Sequence, residues 1–160
     1  MTPFEKHGLN GDRLYFTDGN CFIKYDLDIK RGRHEAAMMH TLTHPAIPSL
    51  YEFGLRRVGR KDYHMLRMRK MPGIPLEDMQ VPAVDRPLIA MQLFEFFNYC
   101  QRIGIVHGDI NVSNVLWNGR SISVIDLERA RPFNYTAPKE EAFFDLYGPP
   151  WGIFDLLRKI

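Results

Sequence analysis

Three observations predict an α+β chain in two lobes. The first lobe is an antiparallel sheet with one helix, and the second is small and mostly helical. Short apolar runs separated by Gly, Asn and Asp turn signals fill the first 70 residues. A break rich in proline and glycine follows, Met71-Pro72-Gly73-Ile74-Pro75-Leu76. One long segment with a dense apolar face comes next, over residues 88–102, and then shorter pieces. The expected division is a first lobe over 1–70, a hinge over 71–76 and a second lobe over 77–160.

Taken in order, Gly11-Asp12 and Asp18-Gly19-Asn20 are turn signals, so 13–17 and 21–25 read as a hairpin. Residues 32–42 carry Ala36, Ala37, Met39 and Leu42 at helical spacing. That helix stops before His44-Pro45, because proline disfavours helix in the residue it follows. Segments 49–55 and 62–69 read as strands flanking a basic turn over 56–61. Past the hinge, Pro87 suits the first turn of a helix. Leu88, Met91, Leu93, Phe94, Phe97 and Cys100 form its expected buried face, and Gly104 ends it. A hairpin turning at Asn118-Gly119 leads into the apolar run Ser123-Val124-Ile125 and then Asp126. The remaining 34 residues hold Pro132, Pro138, Pro149 and Pro150 before an amphipathic helix over 153–160.

Composition excludes several classes. The chain has 160 residues, 45% of them apolar, which suits a protein with a real core. With 21 basic and 19 acidic residues the formal charge is +2, too weak a field to point to nucleic acid or membrane. Cys21 and Cys100 lie far apart and neither sits in a CxxC, so a reducing compartment is expected. No apolar leader and no apolar run of membrane-spanning length occurs, so the expected location is the cytoplasm.

The strongest chemical signal is His107-Gly108-Asp109-Ile110-Asn111-Val112-Ser113-Asn114-Val115-Leu116. An Asp followed five residues later by an Asn, between apolar flanks, is the spacing of a phosphotransferase loop. Asp109 takes or orients the proton of an attacking hydroxyl, and Asn114 holds a metal on the nucleotide phosphates. Asp and Asn also serve plain loops through Asx-turns. Apolar flanks make spare acids costly here, however, and Asp126 adds a second metal-ligating position. Hard oxygen ligands of this kind suit Mg²⁺. The chemistry expected is transfer of a phosphoryl group from ATP or GTP.

Lys24 ends the apolar run Cys21-Phe22-Ile23, where its amine can reach phosphates, and Glu35 follows eleven residues later on a helix. Each alone could be an ordinary surface charge. With the downstream loop they read as a phosphate-binding lysine and the acid that pins it. No GxGxxG precedes Lys24. Gly8-Leu9-Asn10-Gly11 is either the phosphate lid or a plain turn. His107 suits a buried hydrogen-bonding position rather than catalysis. His34, His40 and His44 lack a third ligand at metal spacing. The basic turn, Arg56 to Lys61, is a solvated hairpin tip or a surface for an acidic partner such as RNA or a phosphorylated glycan.

These residues resemble the protein-kinase-like superfamily, in its small atypical members. Gly104 to Asn114 is similar to the loop of the KEOPS-complex kinase family, of the RIO kinases and of the aminoglycoside phosphotransferases. Ile125-Asp126-Leu127-Glu128-Arg129-Ala130-Arg131 looks like the matching stretch of bacterial lipopolysaccharide kinases. Glu141-Ala142-Phe143-Phe144-Asp145-Leu146-Tyr147 resembles the late helical segment in which an Asp braces the catalytic loop. Met65 to Leu76 looks like the strand-to-hinge stretch of minimal effector kinases that bacteria inject into host cells. The resemblance implies a minimal bilobal kinase-like fold using ATP and Mg²⁺. It implies that Lys24 contacts phosphates, Glu35 orients Lys24, Asp109 is the catalytic base, and Asn114 and Asp126 bind Mg²⁺. Backbone groups near Arg69 to Met71 would hold the adenine, and Gly8 and Gly11 would lie over the phosphates.

Three positions depart from the family pattern. Gly108 replaces the Arg of regulated kinases, which removes activation-loop control. Asn111 replaces a phosphate-binding Lys, and Glu128 replaces a Gly after Asp126-Leu127. Only 34 residues follow Asp126, so a partner protein or regulatory subunit is expected to supply part of the acceptor surface. Two functions remain open from sequence. One is a phosphotransferase acting on protein Ser/Thr or a lipopolysaccharide sugar. The other is a pseudokinase or ATPase-type switch that holds nucleotide and a partner.

Overall fold

The computed structural model describes residues 11–133, 139–148 and 152–160. It is an α+β structure with antiparallel sheets. The chain divides into two compact units, Met1–Thr43 with Pro48–Lys70, and His44–Ile47 with Met71–Ile160.

In the first unit, strands β1 (Arg13–Asp18) and β2 (Cys21–Asp26) form the expected hairpin. Helix α1 (Ile29–Thr41) follows, then β3 (Leu50–Val58) and β4 (Lys61–Arg69), giving the order β1-β2-β4-β3. The basic turn expected over 56–61 is shorter than that. Gly59, at φ 63°, and Arg60 form a two-residue turn between Val58 and Lys61. Such turns match strand twist and let the ladder run to its tip, so Arg56 and Arg57 are strand residues. One sheet face buries Leu14, Phe16, Ile23, Tyr63 and Met65 together. Burial of a large apolar side chain of this kind contributes roughly 1.5–3 kcal/mol.

Helix α1 begins three residues before the apolar spacing suggested. The Asp28 side chain accepts from Arg31 N at 3.1 Å and caps it. Asp26, fully buried, takes Arg31 Nε and Nη2 at 2.7 Å each and Asp28 N at 2.9 Å. This charged fork fixes the first turn. Gly32 is the helix residue that faces His64. A Cβ there would stand 2.7 Å from His64 Cβ and 2.8 Å from its Nδ1. His64 is buried, and desolvation together with Arg33 pulls its pKa down.

In the second unit, β5 (Ile74–Pro75) and a 3-10 turn (Leu76–Asp78) lead to α2 (Arg86–Ile103). Then come β6 (Ile105–Val106), β7 (Val115–Trp117), β8 (Ile122–Val124) and β9 (Arg131–Pro132). Short helices α3 (Lys139–Ala142), α4 (Phe144–Tyr147) and α5 (Ile153–Lys159) follow. The ladders are β5-β7-β8 and β6-β9. Part of the expected hinge is therefore a strand of this unit.

The buried stripe of α2 is Ile89, Leu93, Phe96, Phe97 and Cys100. Leu88 and Met91, expected inside, are 37% and 50% exposed. At 3.6 residues per turn Met91 falls opposite that stripe and Leu88 falls outside its edge. Gly104 ends the helix in the left-handed region, as its position suggested. Gln92 of α2 grips the β7–β8 hairpin, its Oε1 accepting from Ile122 N at 2.9 Å and its Nε2 donating to Arg120 O at 3.0 Å. His44–Ile47 belongs here because Val124 N donates to Ala46 O at 2.7 Å and the His44 ring packs on Phe96 and Tyr99. Burial and Arg102 lower the His44 pKa. Gly8, Pro138, Pro149 and Pro150 lie outside the described residues. No helix among the described residues is long and apolar enough to cross a membrane.

Gly32→Ala tests the α1–β4 approach. Helix propensity alone would make alanine about 1 kcal/mol more stable. The close contact with His64 predicts the opposite sign, a loss of about 1–3 kcal/mol in urea unfolding. A variant as stable as the parent, or more so, contradicts the packing.

Candidate functional site

The segment between β6 and β7 is held from below by Asp145 of α4. Its Oδ2 accepts from His107 N at 2.6 Å and its Oδ1 from Gly108 N at 2.8 Å, with the side chain almost wholly buried. The Asp145 pKa is raised, because burial outweighs the lowering by His107, the two N–H groups and Arg131. Arg131 ties β9 to α3 and α4, with Nε 3.2 Å from Glu141 Oε1 and its guanidinium 5.1 Å from the Phe144 ring centre.

Gly108 has no substitute in this backbone. Its φ is +81°, and a Cβ would stand 2.6 Å from Arg129 O. His107 is fully buried, as its sequence position suggested. Its Nδ1 accepts from Asp109 N at 3.3 Å, which leaves Nε2 to face Ile125 O at 3.2 Å. The ring therefore links the start of the loop to the strand leading to Asp126.

The half-buried Asp109 carboxylate is gripped at both oxygens. Asn111 Nδ2 donates to Oδ1 at 2.9 Å, and Asn114 Nδ2 donates to Oδ2 at 2.9 Å. A carboxylate has about four acceptor positions, so it can still accept from a hydroxyl. Asn111 also organises the turn after it, its Oδ1 accepting from Ser113 N at 2.9 Å and Asn114 N at 3.2 Å. In the sequence Asn111 reads only as the loss of a lysine. Its place two residues before Ser113, in Asx-turn spacing, is the signal for this second use.

The donor set fits a magnesium ion. Asn114 Nδ2 also donates to Asp109 O at 3.0 Å. Both acceptors demand the amide end, so Asn114 Oδ1 is the end left for a cation. Ile125 N donates to Asn114 O at 2.9 Å, which continues the β7–β8 ladder and sets Asp126 next to this loop. Asp126 is the one non-glycine among the described residues with positive φ, at 63°. That conformation costs on the order of 1 kcal/mol, and such strain concentrates at functional positions. Among the described residues no three His, Cys, Asp or Glu gather around a metal position. One amide and one carboxylate suit Mg²⁺ that keeps waters and takes further oxygens from phosphates.

The other expected residues lie in the first unit. Lys24 Nζ meets Glu35 Oε2 at 2.7 Å, both side chains 4% exposed. Strand β2 supplies the lysine and α1 the acid. A buried pair of this kind is weak support for stability, since desolvation offsets its attraction, but losing one partner costs about 3–5 kcal/mol. Gly11 sits in the bend before β1 at φ +69°. Arg69 N donates to Ser49 O at 2.9 Å and Lys70 N to Asn20 O at 2.7 Å, so these two donors of the hinge stretch are already engaged. Met71 opens the second unit and is half-buried. The structure thus joins Lys24 to Glu35 within one unit, and Asp109 to Asn114 beside Asp126 within the other.

No family model and no curated protein matches the chain.

Asp145→Ala removes the acceptor of two buried N–H groups. Leaving them unsatisfied costs about 2–5 kcal/mol. Amide exchange at His107 and Gly108 should accelerate more than exchange in the α2 core. Uniform acceleration, or none, would show that Asp145 does not hold this loop.

Proposed function

We propose that this chain is a small ATP-dependent phosphotransferase with the bilobal organisation of the atypical kinase-like proteins it resembles. The observation that carries the reading is the Asp109 carboxylate held at both oxygens by Asn111 and Asn114, on a loop clamped by Asp145. A rigid carboxylate with spare acceptor positions is suited to orient an alcohol and take its proton. Asn114 and Asp126 hold Mg²⁺. When bound, the ion neutralises phosphate charge that would repel the incoming oxygen. Lys24 contacts the phosphates and Glu35 keeps its ammonium in place. That assignment gives the buried pair a use that its small worth to stability does not.

The adenine lies against backbone groups near Arg69 to Met71. With the N–H groups of Arg69 and Lys70 engaged, carbonyls and the Met71 N–H are the groups it meets. Gly11 lies over the phosphates. The acceptor is a hydroxyl of a protein Ser/Thr or of a lipopolysaccharide sugar, and a partner protein completes its docking surface. A second reading, a nucleotide-holding switch without transfer, is favoured by one observation. The Asn111 amide sits on Asp109 Oδ1 where the resembled kinases place a phosphate-binding lysine two residues after the base.

The test is Mg²⁺-dependent turnover of ATP, with phosphoryl transfer followed to the protein itself, to a basic protein acceptor and to a lipopolysaccharide acceptor. Turnover should fall about a hundredfold or more in Asp109→Asn. Lys24→Met should fall comparably with nucleotide affinity reduced. Equal rates in parent and Asp109→Asn contradict transfer. Thermal stabilisation by Mg·ATP with no product assigns the switch instead, and no stabilisation contradicts both.

A further inference from the structure

Strand β3 is an edge of the first unit's sheet, nine residues long, and among the described residues no strand pairs on its outer side. Its backbone direction follows from the turn. In a two-residue hairpin the closing pair, here Val58 and Lys61, is hydrogen-bonded. Alternation then aims the N–H and C=O groups of Arg56, Gly54 and Glu52 at β4, and those of Arg57, Leu55 and Phe53 outward. Proline and lysine, which often blunt such edges, are absent from β3; its charges are Glu52, Arg56 and Arg57, and its register shifts only at its start, between Leu50 and Glu52. Tyr51, Phe53 and Leu55 are instead 55%, 49% and 53% exposed along it.

We propose that β3 pairs with β3 of a second copy of this chain, antiparallel about a two-fold axis at Gly54. In this register Phe53 lies opposite Leu55 of the second copy, using the outward-facing backbone groups. On the other sheet face Glu52 lies opposite Arg56 of the second copy. Within one chain these two charges already form an ion pair, four residues apart on one face. A two-fold axis midway between them brings each against its opposite charge in the second copy. The same operator pairs the apolar residues twice, as an isologous contact requires. Sliding the register by two residues sets Arg56 against Gly54 or Leu50 and loses the match. Gly54 has φ +146° and nothing but Arg56 Nη1 within 4 Å of a Cβ position. Glycine inside a strand often marks close approach of another backbone, and the axis is where two backbones approach here. An unrelated acidic strand would satisfy Arg56 and Arg57 but oppose Glu52, whereas the self-pair satisfies both signs.

The experiment is sedimentation equilibrium of the whole chain over a range of concentrations. The parent should be a reversible dimer. Arg56→Glu should raise the dissociation constant on the order of tenfold or more, because both symmetric pairs become repulsive. The charge swap Glu52→Arg with Arg56→Glu should restore it, and Phe53→Lys should give monomer with an unchanged circular dichroism spectrum. A parent that is monomeric at every concentration overturns the proposal, and leaves β3 to a different protein. So does a dimer that Arg56→Glu and Phe53→Lys leave intact, or a swap that fails to recover association.

Discussion

Two hydrogen bonds from consecutive backbone N–H groups, those of His107 and Gly108, converge on the two oxygens of Asp145. Everything chemically interesting in the second unit is built outward from that clamp. Each of the two N–H groups has its own carboxyl oxygen as acceptor, at 2.6 and 2.8 Å. The clamp is sealed from water, where loosening it leaves two donors stranded. With the backbone of His107 and Gly108 fixed, the His107 ring reaches Ile125, and Asn111 and Asn114 close on the Asp109 carboxylate. Gly108 is the cost of admission to this geometry, since a side chain there would collide with Arg129 O.

The first unit has its own fixed charge. The Lys24–Glu35 pair is buried within the range of the core leucines. Asp26 and Arg31 anchor the start of the helix that carries Glu35. Two adjacent ion pairs therefore set the helix start and the lysine head. Neither needs to add much stability to be useful. Their value lies in fixing positions that an apolar replacement would leave unspecified. Each unit thus holds its polar side chains by backbone geometry and partner charges rather than by chance exposure.

Much of this was legible in the sequence because it is local. Turn residues marked the β1–β2 and β7–β8 hairpins, Gly104 marked the end of α2, and the order Asp109, Asn114, Asp126 marked a polar loop between apolar strands. What was hidden was tertiary. The start of α1 depends on Asp26 reaching Arg31, a contact no periodicity encodes. Leu88 and Met91 are apolar yet lie outside the stripe that faces the core, which only the packed helix reveals. Arg56 and Arg57 look like turn charges until a two-residue turn extends the strands past them. Asn111 offered no sign by itself that it would hold the same carboxylate as Asn114. Asp145 lies 38 and 37 residues from the two N–H groups it holds, and only the resemblance suggested its use.

The central claim is that Asn114 and Asp126 form a magnesium-nucleotide grip beside Asp109. Equilibrium binding of ATP to the whole chain, with and without Mg²⁺, measures that grip without requiring turnover. Mg²⁺ should tighten ATP binding about tenfold in the parent, and Asp126→Asn should lose that gain while remaining folded. An affinity indifferent to Mg²⁺ in the parent, or the same gain in Asp126→Asn, would contradict the account.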